Sequence, residues 1–134
     1  MAIGRRRARK EAIFLLYQCD LMGLTAPQVL ERAELAGNLI DAYTRLLVLE
    51  VFRRRAALDE LIGRHLQGWS VERLAPLERN IMRVALVEIG ETADVPVSVA
   101  LDEAVGLAKR YCSDEAAGLV NGVLGGIMSD IEAA

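Results

Sequence analysis

One histidine, one tryptophan, two phenylalanines and two cysteines occur in 134 residues, and each scarcity removes a class of function. With His65 alone, neither a histidine-rich metal site nor a serine-histidine-aspartate triad has its second member. Cys19 and Cys112 fall on apolar faces of predicted helices, which fits buried thiols in a reducing, cytoplasmic setting better than a disulfide. No apolar run approaches the ~18 residues of a membrane span. Ile13 to Tyr17 is too short for a signal-peptide core and is followed by Gln18 and Asp20. Nothing alternates like a strand, and no segment is of low complexity or repeats. The acidic pairs Asp59-Glu60, Asp102-Glu103 and Asp114-Glu115 are adjacent, which on a helix sends their carboxylates in different directions. Gly122 to Gly126 lacks the lysine and preceding strand of a phosphate loop. These readings predict no catalytic residue, no metal and no cofactor.

What is present is concentrated near the start. Arg5, Arg6, Arg7, Arg9 and Lys10 place five cations in six residues, inside a stretch without Gly or Pro from Arg5 to Met22 that reads as one helix of about five turns. Ala8, Ala12, Leu15, Cys19 and Met22 share one face, and Ile13, Tyr17 and Leu21 lie roughly opposite, so this is a buried helix. Its cations sit where the helix dipole prefers carboxylates, so helix stability does not explain them. Desolvating one of them unpaired costs several kcal/mol; they must meet water or an anion.

The formal net charge of -3 hides an asymmetry: residues 1–18 sum to +4, 19–87 balance, and 88–134 sum to -7. A basic end on an acidic chain fits a short footprint on a few phosphates rather than indiscriminate coating of nucleic acid.

Gly23 ends the first helix, and Thr25 with Pro27 starts a second that runs to about Ala36. Apolar spacing from Leu39 to Leu66 predicts one long amphipathic helix, with Arg53-Arg54-Arg55 as a solvated face. Gln67 to Ser70 interrupts the pattern, and Trp69 is expected to plug the junction. Pro76 opens a helix to about Ile89, with Glu78, Arg79 and Arg83 off its apolar side. Ser98 is expected to cap the next helix and Ser113 the last. Gly118 and Gly122 recur at helical spacing, and each costs about 1 kcal/mol against alanine, so another backbone, most simply that of the first helix, is expected close by. The fold is all-α: six or seven helices in two small bundles sharing the N-terminal helix, a single domain over 1–134 with subdomains of about 1–67 and 68–134.

Several separate segments carry a family resemblance. They are Arg5-Arg6-Arg7-Ala8-Arg9 with Ala12 and Leu16-Tyr17; Leu74; Arg79 to Arg83 with Ala85-Leu86 and Glu88; Asp94-Val95-Pro96; Glu103-Ala104; Leu107-Ala108-Lys109; and Val120 to Leu124. In this order and spacing the chain resembles the NusB family of bacterial transcription antitermination factors over nearly its full length. The resemblance implies binding of boxA-type single-stranded RNA from ribosomal RNA leaders together with ribosomal protein NusE, within the RNA polymerase antitermination complex. It implies that Arg5, Arg6, Arg7, Arg9 and Lys10 contact RNA, that Leu119 and Asn121 lie near it, and that Glu78 faces NusE. Many relatives have Phe where this chain has Leu119 and Asp where it has Gly125; if that Phe stacks on a base, Leu119 cannot do so. The family contains monomers and dimers, so a homodimer stays open. Two alternatives remain at this stage: a helical adaptor whose arginines pair with acidic protein, and a separated RNA-binding domain of an rRNA methyltransferase.

Overall fold

The computed structural model describes residues 4–91 and 95–133. Among them are seven α-helices and no strand: α1 (Arg5–Met22), α2 (Ala26–Leu35), α3 (Ala42–Arg53), α4 (Arg55–Gly63), α5 (Pro76–Glu91), α6 (Val97–Tyr111) and α7 (Asp114–Ala133), with a 3-10 turn at Val71–Arg73 before α5. The cap signals account for most boundaries. Gly23 takes the left-handed conformation (φ 64°) that ends α1. Thr25 and Gln28 form a reciprocal capping box at the start of α2, and Ser113 Oγ accepts the Ala116 N–H at 2.9 Å to open α7. Ser98 is not a cap: Pro96 holds that position with no side-chain hydrogen bond, and α6 begins at Val97. Proline disfavours a helical residue before it, so the chain enters the helix immediately after.

α5 is the helix around which the others assemble. It packs against α1, α3, α4, α6 and α7, whereas α1 packs against α2, α3 and α5. Every residue from Asn80 to Glu88 is buried, so α5 has no solvent face over two turns and its polar groups must be satisfied inside. Arg83 donates to both Asp59 oxygens at 2.7 Å and to Asp20 at 3.2 Å. Asn80 donates to Asp20 at 2.9 Å and accepts from Arg83 at 3.0 Å, and Arg79 reaches Asp20 at 3.1 Å. This network ties the end of α1 and the middle of α4 to α5. Among the described residues no buried side-chain nitrogen or oxygen lacks a partner.

Three further expectations are corrected. The segment from Leu39 to Leu66 is not one helix: Asp41 caps α3 by accepting the Tyr43 N–H at 3.1 Å, and the chain turns at Arg54 (φ -102°, ψ 12°). The turn lets Leu47, Val48 and Val51 pack with α1 and α5 while Leu58 and Ile62 are buried by an α4 that packs on α5 and α7. Trp69 plugs nothing; it is 58% exposed, with the Arg73 guanidinium 5.4 Å above its ring. No backbone passes Gly118 or Gly122, where an added β-carbon would meet nothing within 4 Å. The close approach is one turn on, at Gly126, where a β-carbon would lie 2.6 Å from Nδ1 of His65, and it is to a side chain of the loop after α4. The main partners of α7 are α6, α5 and α4.

Candidate nucleic-acid interface

The first turns of α1 contain no acidic residue to offset the dipole, so their charge is balanced from other helices. Ala8 is fully buried and its carbonyl accepts from Thr44 Oγ1 of α3 at 3.2 Å, which fixes how α1 is rotated. That rotation divides the cations. Arg9 points inward: Nε donates to Glu88 of α5 at 2.5 Å, both side chains being almost wholly buried, and Glu88 also accepts the Tyr43 hydroxyl at 2.5 Å. Arg6 stays 82% exposed but is held by Glu103 of α6 at 2.7 Å, and that carboxylate also lies 4.0 Å from Arg9. The hydrogen bond to Glu103 raises the Arg6 pKa further, keeping it charged. Arg5 lies 4.1 Å from the Tyr43 ring centroid. Arg7 pairs with Glu11 one turn on in its own helix at 3.2 Å. Lys10 is exposed and has no carboxylate partner among the described residues.

Of the five cations expected to contact RNA, four are therefore on the surface. Arg9 is corrected to a structural role, because its charge is committed to Glu88 and it is 6% exposed. Its identity inside the arginine run gave no sign of this; the signal was its place one residue after Ala8, on the flank of the apolar face, with Glu88 on the apolar side of α5.

The remaining predicted residues lie elsewhere. Leu119 is half-buried against the core and Asn121 is exposed on α7. Glu78, half-buried in the first turn of α5, has its pKa raised by burial and by Glu115. Burial, with Glu78 adding to it, likewise raises the Cys112 thiol. Glu78, Cys112 and Glu115 thus form an acidic neighbourhood where α5 and α7 begin and α6 ends. No cluster of three or more metal-ligating side chains is found among the described residues, and no single helix there is long and apolar enough to cross a membrane.

Together these features describe an all-helical body with a cationic helix start on α1 and an acidic surface where α5 and α7 begin. Residues 6–129 match the model of the NusB family. The chain is 41% identical over 128 residues, 96% of its length and 98% of the relative's, to a protein of Bacillus velezensis named transcription antitermination protein NusB. Its fold matches NusB from T. maritima at a TM-score of 0.85 and 31% identity, covering 97% of this chain and 94% of that one. It also matches a chain in a crystal structure of antitermination factors NusB and NusE with double-stranded RNA, at a TM-score of 0.80 and 29% identity, over 94% of this chain and 96% of the other. The chain belongs to the NusB family of transcription antitermination proteins.

Proposed function

We propose that this protein binds boxA-type single-stranded RNA of ribosomal RNA leaders together with ribosomal protein NusE, and so supports processive elongation by RNA polymerase in the cytoplasm. The observation that carries the reading is the surface placement of Arg5, Arg6, Arg7 and Lys10 on a chain whose net charge is -3. Phosphate contact by these side chains supplies affinity and register. Asn121 offers an exposed amide to a base, and Leu119 gives no stacking surface. The acidic neighbourhood of Glu78 and Glu115 is the surface we assign to NusE: burial, and then repulsion from Glu115, raise Glu78, and a cation brought there favours its charged form. The protein acts by binding rather than catalysis; its only histidine is engaged with Asp130 at 2.9 Å.

The test is fluorescence anisotropy of labelled boxA RNA across a salt series, with and without NusE. Binding with a log-log salt slope of roughly 0.7 per phosphate contact is expected. Absence of RNA binding at low salt, even with NusE, would leave the adaptor reading. Glu78→Lys should slow NusE association several-fold at low salt with an unchanged circular dichroism spectrum; wild-type kinetics would place Glu78 outside the interface.

A further inference from the structure

Beside α1, on the flank facing α2 and its connection to α3, lies a groove of about 970 Å³ whose walls include Arg7, Lys10, Phe14, Arg32, Asn38 and Leu39. Its charge is unbalanced. Its wall carries three cations, Arg7, Lys10 and Arg32, against two carboxylates, Glu11, which pairs with Arg7 at 3.2 Å, and Asp41, which accepts the Tyr43 N–H at 3.1 Å. Lys10 and Arg32 have no carboxylate partner among the described residues. Leu39 stands 97% exposed in the connection, an apolar side chain that none of the described residues covers. Arg32, Asn38 and Leu39 lie outside every segment that carries the family resemblance.

We propose that this groove takes the continuation of the RNA strand bound by the arginine run, with Lys10 and Arg32 meeting successive phosphates and Leu39 packing against an unstacked base. The inference rests on the RNA-binding reading above. Continuity favours this occupant: Arg7 and Lys10 belong both to the cationic run and to the groove wall. A strand on those two side chains is already at the groove, and cations flanking an apolar contact are how single strands are held without base-pair readout. Leucine serves elsewhere as an apolar wedge between bases.

The experiment compares two labelled single-stranded RNAs, a boxA element alone and the same element with flanking nucleotides on both sides, against the full chain and its Arg32→Ala, Arg32→Lys, Leu39→Ser and Arg64→Ala variants. All three positions are exposed, and melting temperatures check that folding is kept. Arg32→Ala is expected to weaken binding of the flanked RNA several-fold and shallow its log-log salt slope by about 0.7, with Arg32→Lys restoring the slope. Leu39→Ser should weaken the flanked RNA without changing the slope, and Arg64→Ala, paired with Glu60 on another helix, should change neither. Wild-type affinity and slope in both groove variants, while Arg6→Ala loses affinity, would overturn the groove and leave the RNA reading standing. Failure of the wild-type chain to bind either RNA would overturn both. Arg32-dependent binding of a polyglutamate peptide, with Arg32-independent binding of RNA, would assign the groove to an acidic protein instead.

Discussion

The chain carries two arginine runs, Arg5 to Arg9 and Arg53 to Arg55, and they are used differently. In the second, Arg53 pairs with Glu50 one turn back at 2.5 Å, Arg55 lies 4.5 Å from the Phe52 ring centroid, and Arg54 sits at the turn between α3 and α4 with its guanidinium beside Gly90 of α5. In the first, the partners of Arg6 and Arg9 are 97 and 79 residues away, and Lys10 has no carboxylate partner among the described residues. Arg53 and Arg55, exposed and each met by a residue three positions back, form a solvated surface. A run held in place by α3, α5 and α6, with exposed charge remaining, is a positioned surface that can meet another anion.

The strongest way to break this contrast is at Arg9. Arg9→Ala leaves Glu88 buried without its cation, which should cost about 3–5 kcal/mol in urea denaturation. Arg53→Ala, exposed and paired within one turn, should stay within about 0.5 kcal/mol of wild type. A small loss at Arg9 would mean that the pair is not internal. Next comes the RNA readout. Lys10→Ala should lower affinity and shallow the salt slope by about 0.7, whereas Arg53→Ala should leave both unchanged; equal effects would make the two runs equivalent.

A smaller effect is expected at Glu103, which occupies Arg6 in the free protein. Glu103→Gln should release Arg6 and tighten RNA binding a few-fold at low salt, an increase that fades as salt is added. Weaker binding would show instead that Glu103 orients Arg6 for the RNA. The smallest effect concerns pH and the second run. The hydrogen bond from Arg53 lowers the folded-state pKa of Glu50, so the stabilisation it gives is present above the ordinary glutamate pKa and is lost as pH falls through the lowered value. Arg53→Ala should remove only that acid-side dependence, read as converging melting temperatures of variant and wild type on acidification.

Helix boundaries are largely legible because caps are local: Gly23, Thr25 with Pro27, Pro76 and Ser113 act within a turn of where they stand. The break at Arg54 is not, because no glycine or proline marks it and it exists to let α3 and α4 pack against different neighbours. The glycine face of α7 is illegible in the sequence for a related reason. Helical spacing places Gly118, Gly122 and Gly126 near one another, but only the packing of the loop after α4 shows that Gly126 alone is crowded, by His65.

By itself the sequence determined the all-helical class, the cationic start of α1 and the family, since helix periodicity, local charge density and ordered motifs are properties of the chain in one dimension. Which cation points where was decided by tertiary structure. Adjacent residues on a helix diverge by about 100°, so the rotation fixed by Ala8 against Thr44 sends Arg9 to Glu88 and leaves Arg6, Arg7 and Lys10 outside. The same packing brings Arg32 and Leu39, distant in sequence and silent in composition, to the edge of α1.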